Sequence, residues 1–102
     1  MRSRRRYVLL EYSGGREASA DEILSKVRTL VARVFGIVGL VDVNPELVYS
    51  REGKVFVIAV ERKGLEKLLA SLVFDADRSL KVLRVVGSLR RAERLVASMQ
   101  KQ

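Results

Sequence analysis

The residues best suited to chemistry stand near the end of the chain, in the stretch VVGSLRRAERL at positions 85–95. A β-branched run stops at Gly87, Ser88 follows, and arginines then recur at helical spacing: Arg90, Arg91 and Arg94. The leading N–H groups of a helix have no partner within it, and the helix dipole is positive there. The glycine would let a ligand approach the backbone, and the serine could cap the helix or donate to an oxygen. The pattern favours phosphate binding, and the alternative is a serine-capped helix with solvated arginines.

Two further expectations concern this stretch. Arginines early in a helix oppose its dipole, and an anion bound there would remove that small penalty. We also expect Gly87 to be required by the turn itself, so that a larger residue would strain it.

The residue types that most reaction centres need are missing from this sequence. It has no cysteine and no histidine, and its aspartates and glutamates form no close constellation. This excludes zinc sites, thiol nucleophiles, disulfides and the usual acid–base group at neutral pH. We therefore expect no cofactor and no catalysis by the chain itself. No apolar run approaches the roughly 18 residues of a membrane span, and no signal-peptide core follows the basic start.

The positive charge is concentrated at the two ends of the chain. Residues 1–6 carry four arginines and no acidic residue, and residues 78–102 carry seven basic residues and one acidic residue. Residues 7–77 carry nine basic and eleven acidic residues, although the whole chain has a formal net charge of +8. This distribution indicates a polyanionic partner, either a nucleic acid or an anionic membrane surface. The alternative is that the terminal arginines only keep the protein in solution.

Hydrophobic periodicity predicts four strands and three helices in one domain spanning residues 1–102, with a short basic tail at 1–5. Ser19 and Glu22 have the spacing of a capping box at the first helix, which we expect to end at Gly36 and Gly39. The predicted strands are 6–12, 46–50, 54–61 and 80–86, and the predicted helices are 20–35, 64–73 and one beginning near 88. This β-α-β-β-α-β order with an additional C-terminal helix predicts an α+β, ferredoxin-like fold, which RNA-recognition domains also use.

The predicted topology brings the two basic ends together. In a ferredoxin-like sheet the first and fourth strands are antiparallel neighbours, so the start of the first lies beside the end of the fourth. We therefore expect one basic patch made of residues from both ends of the chain: Arg4, Arg5, Arg6, Gly87, Ser88, Arg90, Arg91 and Arg94.

The third strand is apolar at every position of VFVIAV, which is typical of a strand covered on both faces. The aromatic pairs with which RNA-recognition domains stack bases are incomplete, so base stacking on an open sheet is disfavoured. One sheet face must meet either the terminal helix or another protein. In the second case the interface would include Val55, Phe56, Val57 and Ile58.

Several segments together resemble a known family. They are RRRYVLLEY in the first strand, VFGIVGLVDVNPELVYSREGKVFVIAVER through the hairpin, GLEKLLASL in the second helix and VLRVVGSLRRAERL at the end. In this order, over nearly the whole chain, they resemble archaeal ribonuclease P protein component 2, the family shared with a eukaryotic ribonuclease P/MRP subunit. Two positions depart from it. Val86 stands where members often carry a hydroxyl, and Ala59 stands where many carry an arginine in the third strand.

The resemblance implies a non-catalytic subunit of the ribonucleoprotein that removes 5′ leaders from precursor tRNA, in which the RNA performs the chemistry. The basic patch would then bind RNA. The implied partners are ribonuclease P RNA, precursor tRNA indirectly, ribonuclease P protein component 3, and a second copy within a dimer of heterodimers. The implied location is the cytoplasm, without a membrane partner. Two alternatives from other classes are a ferredoxin-like regulatory domain that binds a small anionic ligand at the same helix start, and a ribosomal protein.

Overall fold

The computed structural model describes residues 4–99, so Arg2 and Lys101, which contribute to the charge of the chain ends, lie outside the described range. The four strands are β1 (Arg5–Tyr12), β2 (Glu46–Arg51), β3 (Val55–Glu61) and β4 (Leu80–Val86). The three helices are α1 (Ala20–Val43), α2 (Leu65–Leu72) and α3 (Leu89–Met99), and one 3-10 turn (Arg62–Gly64) precedes α2. The predicted α+β, ferredoxin-like arrangement with an additional C-terminal helix is confirmed.

The strands form one antiparallel sheet in the order β2-β3-β1-β4. At one end of the β1–β4 pair Tyr7 lies opposite Val86. The next residues in the two directions are Arg6 and Gly87, so the start of β1 lies beside the exit of β4, as predicted. The sheet therefore sets the backbone of the N-terminal arginines near the residues that lead into α3.

Helices cover both faces of this sheet. On one face α1 and α2 enclose the larger core, in which Val8, Phe56 and Ile58 are completely buried together with Ile23 and Leu68. On the other face α3 packs on a smaller core: Leu9, Val57, Val86, Ala92 and Val96. The sequence left two possible covers for this second face, the terminal helix or another protein, and the structure shows the terminal helix.

Helix α1 extends beyond the end predicted for it. Gly36 has φ 73° and ψ −170°, which interrupts the helix as expected, but a helical segment then continues to Val43. Gly39, expected to help end the helix, is instead buried inside this segment beside the side chains of Phe35 and Lys67. The end comes at Asn44, whose N–H still donates to the carbonyl of Leu40 and whose left-handed backbone (φ 45°) then turns the chain out of the helix. We call residues 37–43 the distal segment of α1.

The local signals for the start of α1 and for the hairpin are confirmed. The Ser19 hydroxyl accepts from the N–H of Glu22 at 3.1 Å, and the Ser19 N–H donates to the Glu22 carboxylate at 3.0 Å. Hydrogen bonding from Ser19, first of all from its backbone N–H, lowers the pKa of the Glu22 carboxyl. In the β2–β3 turn Glu52 and Gly53 both have positive φ, and the Lys54 N–H donates to the carbonyl of Arg51 at 3.0 Å.

Candidate nucleic-acid interface

The start of α3 is held by Ser88. Its hydroxyl accepts from the N–H of Arg91 at 3.2 Å, and its carbonyl accepts from the N–H of Ala92 at 3.1 Å. Ser88 is therefore an N-cap in this structure. By helix geometry, the N–H groups of Leu89 and Arg90 have no acceptor within α3 and stay available at its positive end.

The sequence of α3 separates its apolar and charged residues into two faces. Ala92 and Val96 are buried against the sheet, whereas Arg90, Arg91 and Arg94 are all exposed. Arg91 and Arg94, with Leu95, line a surface depression of about 360 Å³. Among residues 4–99, the basic partners in ion pairs within 4.0 Å are Arg5, Lys26, Lys63 and Lys67. The three α3 arginines thus form no ion pair within 4.0 Å with a described carboxylate.

Gly87 differs from what the sequence suggested. Its φ lies outside the left-handed region, and a Cβ built on it would meet no atom within 4 Å. The expectation that the turn requires glycine is therefore wrong. The open space instead leaves the backbone before α3 accessible to a ligand.

The three N-terminal arginines are close in sequence but not equivalent. Arg4 is exposed, and half-buried Arg6 donates to the carbonyl of Arg5 at 3.0 Å. The Arg5 side chain turns across the sheet toward β3 and β2, away from β4. It lies 2.8 Å from the Glu46 carboxylate and 3.7 Å from that of Glu61. The charge of Arg5 is therefore already paired, although its backbone lies where the topology predicted.

Arg5 is also hydrogen-bonded to the main chain. Its guanidinium donates to the carbonyl of Ala59 at 3.2 Å and to that of Asn44 at 3.3 Å, while its buried Nε has no hydrogen-bond partner. Arg5 thus ties β1 to β3 and to the chain entering β2.

Two exposed cations near this patch were not among the predicted site residues. Lys81 and Arg84 lie on β4, which is an edge strand and leads through Gly87 and Ser88 into α3. Lys81 is opposite Glu11, and Arg84 is opposite Leu9, next to a shift in the strand register. The sequence counts both in the basic C-terminal region, but only the strand order shows that they lie on an open edge beside α3.

The residues proposed for a protein interface are inside the protein. Phe56, Val57 and Ile58 are completely buried, and Val55 is half-buried. The exposed large apolar side chains lie on the α1–α2 side: Phe35, Ile37, Val38, Val41, Val73 and Phe74. Surface for a partner is thus available around the distal segment of α1 and after α2, not on β3.

A second cluster of ionisable groups joins α1 to the loop between α2 and β4. The Lys26 ammonium lies 3.2 Å from the carboxylates of both Asp75 and Asp77, and it donates to the Ser79 hydroxyl at 2.8 Å. The buried Asp75 carboxylate also accepts from the N–H groups of Asp77 and Ser79. The polar groups of this cluster pair with one another and with the backbone of the loop, so we assign the cluster a structural role.

These contacts shift the pKa of both ends of the pair. Burial alone would raise the pKa of Asp75, but Lys26 and the two backbone N–H groups outweigh it and lower the pKa. Burial would lower the pKa of Lys26, but Asp75 and Asp77 outweigh it and raise the pKa.

A surface depression of about 710 Å³ lies between the sheet and the C-terminal end of α3. Its lining carries both signs of charge: Arg51, Lys54 and Lys81 are basic, and Glu11 and Glu52 are acidic.

In the part of the chain that the structure describes, no group of three or more Asp or Glu residues is placed to hold a metal ion. No helix within that part is long and apolar enough to cross a membrane.

The fold and this surface define a small ferredoxin-like protein whose sheet is closed by a helix with an exposed arginine face. A family model matches residues 6–97, nearly the whole chain, and the chain belongs to the Rpp14/Pop5 family. This is a family of ribonuclease P protein subunits, so the resemblance drawn from the sequence is confirmed. A search of curated proteins found no match.

Proposed function

We propose that this chain is a non-catalytic, RNA-binding subunit of ribonuclease P that supports the removal of 5′ leaders from precursor tRNA in the cytoplasm. The observation that carries the proposal is the outer face of α3, where three exposed arginines have no carboxylate partner among the described residues. Family membership supports the choice of ribonuclease P RNA as the polyanion.

Each part of the patch has a distinct task in this proposal. Arg90, Arg91 and Arg94 attract phosphates, and the backbone amides after Gly87 can donate to a phosphate oxygen. Ser88 holds the helix start in place through its cap bond to Arg91.

The N-terminal arginines divide between two tasks. Arg4 and Arg6 precede Tyr7, whose backbone pairs with Val86 at the exit of β4, and from there they would extend the patch. Arg5 fixes that end of the strand through Glu46 and Glu61, so its side chain supports the patch and does not itself bind phosphate.

The chemistry of cleavage would belong to the RNA. The sequence offers no histidine or cysteine for acid–base or nucleophilic catalysis. The protein acts by neutralising phosphate charge and fixing the RNA in position. That the RNA performs the reaction is what family membership implies.

Protein partners form the second part of the proposal. Family membership supports an assembly with ribonuclease P protein component 3 and with a second copy of this chain. The exposed apolar side chains around the distal segment of α1 and after α2 offer a surface for such contacts.

The test replaces Arg90 and Arg91 together by Ala and measures affinity for in-vitro-transcribed ribonuclease P RNA over a range of salt concentrations. Each phosphate contact contributes about 0.7 to 0.9 to the log–log salt gradient, so the gradient should flatten by roughly one to two units. The matched control removes two other exposed arginines, Arg28 and Arg33 on α1, and should leave the gradient unchanged.

Both variants should fold, since neither pair of arginines is buried or ion-paired within the described chain. An Arg90/Arg91 variant with wild-type affinity and wild-type salt gradient would overturn the proposal. The sequence GSLRR would then be a capped helix with solvated arginines.

A further inference from the structure

We propose that the phosphate-binding surface continues from α3 along the edge strand β4 through Arg84 and Lys81, and that it takes a double-stranded segment of RNA. This inference rests on the function proposed above. It adds two residues to the surface and names the form of RNA that the surface binds.

Exposed positive charge continues from α3 onto β4. Arg84 and Lys81 are exposed, and they stand three residues apart on β4, which corresponds to roughly 10 Å along a strand. The chain then passes through Gly87 into the arginine face of α3. Within residues 4–99 neither Lys81 nor Arg84 has a carboxylate within 4.0 Å, although Glu11 faces Lys81 across the strand pair.

The open edge of β4 adds backbone groups to these cations. In the order β2-β3-β1-β4, one side of β4 has no neighbouring strand among the described residues. The N–H groups on that side can donate to phosphate oxygens between the contacts of the two side chains. Edge and helix together form a ridge of donors directed at a sugar–phosphate backbone.

Among the described residues, this ridge carries no exposed aromatic side chain. Proteins that bind single-stranded RNA stack its bases on aromatic side chains, whereas duplex RNA is recognised mainly by shape and backbone contacts. The chain has three tyrosines, three phenylalanines and no tryptophan. The two exposed aromatics, Phe35 and Phe74, lie on the α1–α2 side of the sheet, opposite α3.

Of the remaining aromatics, Phe56 is buried and the three tyrosines are partly buried against the two cores. Phe56 is completely buried, Tyr12 packs against the larger core, and Tyr7 and Tyr49 pack against the smaller one. The sheet face on which RNA-recognition domains stack bases is closed by α3, and both Leu9 and Val57 on it have no exposure. A surface with phosphate donors and no stacking platform fits a duplex better than unpaired bases.

The experiment compares two double variants that each lose two positive charges. The test variant combines Lys81→Gln and Arg84→Gln, and the control variant combines Arg28→Gln and Arg33→Gln. The probes are a perfect RNA duplex and a single strand with the same number of phosphates, each titrated at several salt concentrations. Circular dichroism confirms that the variants are folded. We expect the wild type to bind the duplex at least about fivefold more tightly than the single strand.

The Lys81/Arg84 variant should lose that preference, with a duplex salt gradient flatter by about one to two units, while the control stays at the wild-type value. If only the Arg90/Arg91 variant changes the gradient, the proposed function stands and the extension along β4 is wrong. If the wild type binds the single strand as tightly as the duplex, the assignment of a duplex is wrong. If neither the Lys81/Arg84 nor the Arg90/Arg91 substitutions affect binding to any RNA, both proposals fail.

Discussion

At the scale of single residues, two exposed glycines show how the same residue type can be indispensable or replaceable. Gly36 has φ 73° and ψ −170°, a combination that is essentially restricted to glycine, and the change of helix direction in α1 depends on it. Gly87 precedes the proposed binding helix, has no positive φ and has open space around its Cα. Gly36 is needed for its backbone conformation, whereas Gly87 leaves the surface before α3 accessible.

Replacing Gly36 by Ala should lower the free energy of unfolding by about 1 to 3 kcal/mol, because an L residue is strained in this conformation. Replacing Gly87 by Ala should change it by no more than about 0.5 kcal/mol. Urea denaturation of both variants gives the comparison. Equal stabilities would show that Gly36 relaxes without cost and would refute the strain argument.

At the scale of elements, the attachment of the α2–β4 loop to α1 depends on one buried carboxylate. The side chain of Asp75 is only 4% exposed, yet it is ionised because Lys26 and two backbone N–H groups stabilise its charge. A group whose pKa is lowered on folding stabilises the folded state above its ordinary pKa. That stability is lost as the pH falls through the folded pKa.

The free energy of unfolding of the wild type should therefore decline below about pH 4, close to the ordinary pKa of an aspartate. Asp75→Asn should be less stable at pH 7 by about 1 to 3 kcal/mol and should show a smaller decline in acid. Asp77→Asn is the matched control, because Asp77 is 78% exposed and its pair with Lys26 should contribute about 1 kcal/mol at most. Parallel acid profiles for wild type and Asp75→Asn would contradict the assignment.

At the scale of the whole molecule, the charged and apolar surfaces lie on opposite sides of the sheet. The arginines of α3 are on one side, and the exposed apolar side chains of the distal segment of α1 are on the other. Ile37, Val38 and Val41 are 77%, 76% and 66% exposed, which is unusual for three neighbouring large apolar residues. Under the proposed function, RNA and a protein partner would therefore contact opposite sides of the sheet.

Replacing Ile37 and Val41 by Ser should weaken self-association and binding to ribonuclease P protein component 3, with RNA affinity unchanged. Stability should change little, because both side chains are already in water. Light scattering over a range of concentrations and co-purification with the partner measure the effect. Val73→Ser with Phe74→Ser tests the other exposed apolar pair, and unchanged assembly in both variants would exclude this side of the sheet.

The sequence predicted the order of elements and most of their bounds, because the apolar periods and the capping box act locally. It did not predict the distal segment of α1, since a glycine that bends a helix and one that ends it look alike in a sequence. The sequence also did not decide that α3 covers the second face of the sheet. An apolar strand indicates that both of its faces are covered, but it does not indicate which element covers them.

The candidate site was predicted less completely than the fold. Neighbouring residues of a strand point to opposite faces, so Arg5 and Arg6 have different surroundings despite their identical chemistry. The pairing of Arg5 with Glu46 and Glu61 depends on the register of three strands, which local patterns do not contain. The exposure of Lys81 and Arg84 on an edge strand likewise requires the strand order.

The central position of β1 has a consequence for how the protein folds. The first strand in chain order pairs with residues of β3 that are 44 to 56 positions away and with residues of β4 that are 68 to 79 positions away. Closing such loops costs chain entropy before any contact stabilises them, and folding slows as contacts become less local. The β2–β3 hairpin can form early, whereas the β1–β4 pair must wait for a long closure. The proposed basic patch needs that pair. Under the proposed function, RNA affinity would therefore distinguish finished molecules from folding intermediates.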